Sequence, residues 1–169
     1  MQLTDSRDIS ADRATVYQAM MTPEVLKECV PGCTELTGNA QDGFEATVVQ
    51  KVGPVKATFK GEVTISNMVE NESLTLTGEG KGGAAGFAKG GANVRLEEID
   101  GGTRLHYEVE AKVGGKLAQL GSRIIDGFAK KMADQFFENF DNAVAGPSDE
   151  APAEGDDQPK KGWFKRMTS

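Results

Sequence analysis

The side chains most often used for chemistry are scarce in this sequence, and they are not grouped. Cys29 and Cys33 form a C-x₃-C pair at the end of a predicted helix, with Pro31 and Gly32 between them. A tetrahedral metal site needs four ligands, and the sequence has no second pair of cysteines or histidines to complete one. We therefore expect two free, partly buried thiols, with Pro31 and Gly32 shaping the turn into the next strand.

His106 is the only histidine of the chain. By strand alternation it lies with Arg104 and Glu108 on a charged, solvated face, opposite Tyr107. This position argues against a general base inside a cavity. The pattern places no cluster of His, Asp, Glu or Cys on an inward face. Because neither a nucleophile nor a matched acid–base pair is predicted, we expect a protein that is not an enzyme.

The glycine-rich segment Gly78–Gly83 formally matches the dinucleotide fingerprint G-x-G-x-x-G. That motif binds pyrophosphate only between a strand and the N-terminus of a helix. Here strands flank the segment, so we exclude nucleotide binding. Two interpretations stay open, namely a flexible strand end with its loop, or a hinge at 82–87 that moves over a cavity mouth to admit a bulky ligand.

The composition changes abruptly after Pro147. Residues 147–158 carry five acids and no large apolar side chain, which predicts an acidic disordered linker. Residues 159–169 carry four positive charges, no acid and the only tryptophan, a composition that favours contact with anionic lipid. The predicted membrane-contacting residues are Lys160, Lys161, Trp163, Phe164, Lys165 and Arg166. A disordered basic end, or a peptide that docks on a partner protein, are the alternatives for this tail.

The bulk properties bound the class of protein. The chain has 169 residues and a net charge of −7, which argues against nucleic acid as the main partner. No segment approaches the ~20 consecutive apolar residues of a membrane-spanning helix. The start of the chain, Met1–Asp5, lacks the layout of a signal peptide. We therefore expect a cytoplasmic protein that associates peripherally with the inner face of the cytoplasmic membrane.

The elements that would position a site follow from periodicity. The first nine residues alternate as a strand, and two short helices are predicted at 11–21, with Ser10 as the cap, and at 24–30. From Cys33 to Val113 apolar and polar residues alternate with a period of two, and Asp100-Gly-Gly102 marks a hairpin. One apolar and one charged face are typical of an antiparallel sheet that buries a single face.

One long helix, from about Lys116 to Ala145, remains to cover the apolar face of the sheet. Its stripe has spacings of three and four, and comprises Leu117, Leu120, Ile124, Phe128, Met132, Phe136 and Phe140. The predicted fold is α+β, of the helix-grip type, over residues 1–146. In it, a curved antiparallel sheet of about seven strands wraps around the C-terminal helix, and the two short helices follow the first strand.

The ordered part resembles the carbon monoxide dehydrogenase G-subunit family, within the Bet v 1-like, START-like helix-grip domains. The residues that carry the resemblance are spread over the chain, as Pro23–Leu26 with Cys29–Cys33, Val52–Lys56 with Phe59–Gly61, Gly86–Gly90, Ile125–Ala129 and Met132–Phe137. The resemblance implies an internal apolar cavity. It also implies an accessory role, in membrane recruitment or quinone handling, beside a molybdenum-containing carbon monoxide dehydrogenase or a related molybdenum hydroxylase.

The inward side chains predict room for such a ligand. Small residues fall on or near the inward face, namely Ala46, Ala57, Gly61, Gly78, Ala92 and Ala111. Gln50 interrupts the apolar face of its strand and would offer an amide to a carbonyl-bearing ring. The predicted ligand-binding residues are Phe44, Val48, Gln50, Phe59, Leu76, Phe87, Tyr107, Ile124 and Phe128.

The leading hypothesis is therefore a non-catalytic accessory protein that binds a lipophilic ligand, such as a quinone or a lipid. It would recruit or serve a molybdenum-containing carbon monoxide dehydrogenase at the cytoplasmic membrane. The alternatives are an assembly or maturation factor for the dehydrogenase, and a helix-grip, cyclase-like enzyme. An enzyme would need an inward polar pair, which strand alternation does not predict here.

Overall fold

The computed structural model describes residues 1–145 and the backbone of residues 161–162 and 164–167. The predicted linker at 147–158 lies outside these described residues. The elements, in chain order, are β1 (Gln2–Ile9), α1 (Arg13–Ala19), α2 (Pro23–Cys29), β2 (Cys33–Asn39), β3 (Gly43–Val52), β4 (Val55–Val69), β5 (Ser73–Lys81), β6 (Phe87–Ile99), β7 (Gly102–Gly114), α3 (Lys116–Gln119), α4 (Ser122–Ala145), β8 (Lys161–Gly162) and β9 (Phe164–Met167). A 3₁₀ turn at Gly83–Ala85 joins β5 to β6.

Strands β1 to β7 form one antiparallel sheet in the order β1-β7-β6-β5-β4-β3-β2. Strands β2 to β7 follow one another as a meander, and β1 closes the order by pairing with β7. Tight turns join neighbouring strands where glycines take positive φ, at Gly53 (φ 58°) and Gly101 (φ 81°). The predicted α+β helix-grip fold, with seven strands and a long C-terminal helix, is confirmed. Separately, β8 and β9 pair as a two-stranded antiparallel sheet.

The two short helices form as predicted, but the first begins later. Asp12, rather than Ser10, caps α1, because its Oδ1 accepts a hydrogen bond from the backbone N–H of Thr15 at 2.8 Å. Ser10 instead donates its backbone N–H to Asp141 of α4, also at 2.8 Å. Helix α2 has Pro23 in its first turn, where the missing N–H costs nothing.

The C-terminal helix is not continuous from Lys116, as the sequence pattern predicted. Gly121 adopts φ 90°, a left-handed conformation that no helix interior contains, and it separates α3 from α4. Because of this break, the side chain at the start of α4 that faces the sheet is not the one that the predicted stripe contained. Ile125 is buried, whereas Ile124 is 41% exposed.

Two groups of apolar side chains hold α4 against the sheet. The larger group, here called the main core, includes Val16, Cys29, Leu74, Leu105 and Phe140, each no more than 2% exposed. The smaller group, here called the end cluster, lies where the β3–β4 turn and α3 meet. It comprises Val52, Leu117 and Ile125, with Met1, Val55, Phe59, Val113, Leu120 and Phe128 packed around them. These two groups are separate from each other along the inner face of the sheet.

Candidate functional site

Small residues occupy the inner face of the sheet between the main core and the end cluster. The strand register places Ala46 opposite Gly61, Gly61 opposite Gly80, and Gly80 opposite Ala88. The neighbouring row runs through Gly78, Gly90 and Ala111. This inner patch comprises Ala46, Gly61, Gly78, Gly80, Ala88, Gly90, Ala92 and Ala111, and each of them is half-buried. The middle of the inner face is therefore still partly accessible to solvent.

Helix α4 does not fill the space above Gly61 and Gly80. A Cβ atom placed at Gly80 would meet only Phe59 Cβ, at 4.0 Å. A Cβ atom at Gly61 would meet only the backbone of the neighbouring strand, at 3.3 Å and 3.8 Å. No atom of α4 is within 4 Å of either position, and the α4 backbone lies closest to α2 and β1. The sheet and α4 therefore enclose a cleft floored by small residues.

Four of the nine predicted ligand-binding residues lie at this cleft. Val48 and Phe59 are directly opposite each other on β3 and β4, and Leu76 is on the inner face of β5. Phe128 comes from α4 and packs against the end cluster. All four side chains are half-buried, which leaves apolar surface available to a lipophilic molecule.

Four other predicted residues lie elsewhere. Phe44 and Tyr107 belong to the main core, with only 4% of each exposed, and a ligand contact at these two residues stays a prediction. Phe87 is 39% exposed and lies on the outer face, because alternation gives the inner position to Ala88. Ile124 is exposed and lies beside the β3–β4 turn, where a Cβ atom at Gly53 would be 3.7 Å from its Cγ2.

Gln50 faces inward, but its amide is not free. Its Nε2 donates a short hydrogen bond to the backbone carbonyl of Pro31, in the turn between α2 and β2. The same nitrogen would be 3.0 Å from a Cβ atom at Gly32. The amide therefore fastens this turn to β3, and a direct contact between Gln50 and a ligand stays a prediction.

The sequence analysis missed three floor residues, Gly80, Ala88 and Gly90. It left the glycine-rich segment as a flexible strand end with its loop, whereas β5 continues to Lys81. The signal was present, because the alternation of Leu74 and Leu76 extends in phase through Gly78 to Gly80.

The segment predicted to act as a hinge is closely packed. Ala85 is buried, and the backbone N–H of Gly82 donates to the carbonyl of Gly86 at 2.8 Å. A Cβ atom at Gly86 would overlap the carbonyl oxygen of Gly114. The 3₁₀ turn therefore packs directly against the end of β7. Movement of this turn stays a prediction.

An ion pair fastens α4 to the edge of the sheet. Arg7 of β1 donates to Asp134 Oδ1 of α4 at 2.5 Å and to the hydroxyl of Tyr107 at 3.2 Å. Its guanidinium also lies 5.2 Å from the centroid of the Phe137 ring. The hydrogen bond from Arg7 lowers the pKa of the Asp134 carboxyl. This cluster therefore links α4 to β1 and β7.

The thiols and the histidine agree with a structural role. Both cysteines are free, and burial raises the pKa of Cys29 to about 12. His106 is on the outer face, with its Nε2 2.9 Å from Glu97, and this hydrogen bond lowers the pKa of the Glu97 carboxyl. No group of three or more His, Cys, Asp and Glu side chains that could hold a metal ion occurs within residues 1–145.

A second concavity, of about 630 Å³, lies on the outer face of the sheet. Its lining includes Thr75, Asn93, Arg95 and His106. Thr75 donates to the Asn93 side chain at 3.0 Å, so part of this lining is already satisfied. This depression is open to solvent and most of the side chains that line it are polar, so it does not enclose an apolar ligand.

Comparison with known proteins gives a family and a fold. The family described as the carbon monoxide dehydrogenase G-subunit (CoxG) matches residues 6–145. No curated protein matches the chain. A conserved protein from Geobacillus kaustophilus of known structure is 27% identical, with a TM-score of 0.80, and the match covers 86% of this chain and 95% of that one.

Two further solved structures are similar in fold alone. A putative uncharacterized protein from Rhizobium leguminosarum is 16% identical, with a TM-score of 0.66, over 85% of this chain and 93% of that one. The protein Ara h 8.0201 is 16% identical, with a TM-score of 0.57, over 85% and 97% of the two chains. Within the described residues, no helix is both long and apolar enough to cross a membrane.

Proposed function

The chain belongs to the CoxG family of carbon monoxide dehydrogenase proteins, and we propose that it is a non-catalytic accessory protein that holds a lipophilic ligand in its cleft. The observation that carries this proposal is the inner patch, where eight small residues are half-buried between two packed groups. Proteins rarely leave such space in an interior, because close packing is worth several kcal/mol. A flat, apolar molecule of the quinone or lipid class matches this lining.

The lining is apolar at its walls and small at its floor. Phe59, Leu76 and Phe128 supply the aromatic and aliphatic surface, and Ala92 lies beside Leu76 on the floor. Removing apolar surface from water contributes about 25 cal/mol per Å². The burial of a ring and one isoprenoid-sized chain could therefore drive binding without an ion pair to the protein. The proposed ligand is therefore neutral, which is consistent with a quinone.

The proposed partner is a molybdenum-containing carbon monoxide dehydrogenase, and this part rests on the family name. A protein that carries a quinone beside such an enzyme would supply an electron acceptor. The C-terminal residues 159–169 are the proposed contact with the cytoplasmic membrane, because their four positive charges surround Trp163 and Phe164. Lys160 and Trp163 lie outside the described residues, and for Lys161, Phe164, Lys165 and Arg166 the structure gives only the backbone.

Mass spectrometry of the purified protein, first under native conditions and then after organic extraction, tests the ligand. We expect a stoichiometric quinone or lipid, and uptake of an added short-chain benzoquinone by extracted protein. An empty protein that takes up no quinone would refute the cleft as a binding site. Co-purification of a dehydrogenase with such an empty protein would instead support an assembly factor.

Two neighbouring positions give a matched control for the uptake experiment. Ala92→Phe adds a ring inside the cleft, whereas Asn93→Phe adds the same ring on the outer face of the same strand. We expect Ala92→Phe to abolish benzoquinone uptake and Asn93→Phe to preserve it. Equal uptake by both variants would place the ligand elsewhere.

The tail is tested by deleting residues 159–169 from the full chain. The folded domain keeps all of its described contacts, so we expect an unchanged unfolding midpoint and weaker binding to phospholipid vesicles. Equal vesicle binding by the full and shortened chains would show that the tail is not the anchor.

A further inference from the structure

Six lysines gather on the outer face at one end of the sheet, although the chain as a whole carries a net charge of −7. The strand register places them as like-charged neighbours, with Lys51 opposite Lys56, Lys60 opposite Lys81, and Lys89 opposite Lys112. We call this set the lysine face. Like charges directly opposite each other destabilise a sheet. Three such pairs side by side therefore need a reason other than stability.

The nearby carboxylates do not neutralise these lysines. Glu62 and Glu79 share the outer face, and Glu79 is opposite Lys89. Within residues 1–145, none of the six ammonium groups lies within 4.0 Å of a carboxylate oxygen. All six lysines are exposed. Among residues 1–145 the lysine face therefore carries more positive than negative charges, and its lysines form no ion pair.

The lysine face lies at the same end of the sheet as the end cluster, on the other side of the strands. Four of its six lysines, and Lys116 of α3, are adjacent in sequence to an inward apolar residue of that cluster, whereas Lys81 and Lys89 are flanked by glycine and alanine. The adjacent pairs are Lys51 with Val52, Val55 with Lys56, Phe59 with Lys60, Lys112 with Val113 and, on α3, Lys116 with Leu117. Phe87 lies opposite Lys81 on the same outer face and is 39% exposed. The lysines and the smaller apolar group thus lie at the same end of the sheet, on opposite faces, and one aromatic ring projects among the lysines.

The residue types of this surface indicate which kind of partner it would bind. The face contains lysine and no arginine, and lysine acts as a strongly hydrated point charge rather than a two-pronged donor. Lysine is also depleted in the cores of protein–protein interfaces. Anionic lipid attracts lysines without requiring fixed partner positions, and an exposed phenylalanine can enter the lipid boundary. These properties favour a lipid surface over an acidic protein.

We propose that the lysine face docks the folded domain on an anionic lipid surface, with the end cluster turned toward the lipid. The docking itself does not depend on the proposed ligand. The transfer of a ligand between lipid and cleft, which docking would allow, rests on the proposed function. The end cluster has three buried members, compared with thirteen in the main core. It is therefore the easier end of the cleft to open. This orientation would let an apolar ligand pass between lipid and cleft without crossing water.

The test compares two full-length triple variants in vesicle sedimentation at low salt. The first is Lys51→Gln, Lys56→Gln and Lys60→Gln, which removes half of the lysine face. The matched control is Lys27→Gln, Lys130→Gln and Lys131→Gln, which makes the same charge change on exposed lysines of α2 and α4. The vesicles contain phosphatidylcholine, with or without phosphatidylglycerol, and no quinone.

Each lysine contributes about five-fold to lipid binding, equivalent to ~1 kcal/mol. We therefore expect the first variant to bind phosphatidylglycerol vesicles about 100-fold more weakly than the control variant. Its unfolding midpoint should not fall, because a like-charged pair is removed. Equal weakening of both variants, or no weakening of the first, would overturn the proposal. Because the vesicles hold no quinone, this experiment tests lipid docking alone, and its result does not depend on whether the cleft binds a ligand.

Discussion

The empty space above Gly80 predicts an unusual response to a large substitution. Gly80→Leu adds four carbon atoms to the cleft, where a Cβ would meet only Phe59 Cβ at 4.0 Å. At ~0.8 kcal/mol per buried carbon the gain is about 3 kcal/mol. Ordering the leucine side chain costs about 0.5–1 kcal/mol, and removing a strand glycine returns a similar amount. Because the cleft is only partly closed to water, we expect a net stabilisation of about 2 kcal/mol.

The assay is thermal unfolding together with benzoquinone uptake. A gain of about 2 kcal/mol corresponds to a rise of roughly 4–8 °C in Tm for a chain of this size. The leucine occupies the proposed ligand site, so uptake should fall at least ten-fold. The matched control is Gly90→Leu on the neighbouring strand, where a Cβ would overlap the carbonyl oxygen of Glu110. That variant should lose about 3 kcal/mol.

One result would refute this reasoning. If Gly80→Leu lowered Tm as much as Gly90→Leu, the space above Gly80 would already be filled by protein atoms. The cleft would then be a packed interior, and the small residues would serve only close approach of backbones.

Three further predictions concern the helices, the thiols and the ion pair. Gly121→Ala should lower the free energy of unfolding by about 1–2 kcal/mol, because φ 90° strains any residue with a Cβ. Gly127→Ala, in the exposed interior of α4, should raise it by about 1 kcal/mol, and urea titration measures both. At pH 8, iodoacetamide should modify Cys33 in the native protein and reach Cys29 only in urea, as counted by mass spectrometry, because the pKa of Cys29 is about 12. The lowered pKa of Asp134 stabilises the fold above the ordinary value of 3.8, and this contribution is lost as pH falls through the folded pKa. Asp134→Asn should therefore lower the urea midpoint at pH 7 but not in strong acid, and an equal deficit at both pH values would contradict this.

Most of the fold follows from the sequence because strand alternation and hairpin glycines are local signals. The period of two from Cys33 to Val113 reports which face of each strand is buried. The break at Gly121 was not predicted, because a lone glycine within a helical pattern is usually tolerated. Only the left-handed conformation at that residue ends α3.

The site was harder to predict, because alternation tells which face a residue shares but not whether another element covers it. Phe44 and Val48 share the inner face of β3, yet one is buried in the main core and the other is half-exposed at the cleft. The difference depends on where α4 approaches the sheet. Gln50 was placed on the correct face, but its hydrogen bond to Pro31 depends on a turn 19 residues away.

The pairing of β1 with β7 also constrains how the molecule forms. Met1 donates its N-terminal ammonium to the carbonyl of Ala111 across 110 residues of sequence. On the ribosome, the first strand therefore has no partner until β7 has been synthesised. Contacts of such long sequence separation slow folding. The first nine residues must wait, exposed, through the synthesis of the entire meander, and the polar residues at Gln2, Thr4, Ser6 and Asp8 keep one face of that strand compatible with water in the meantime.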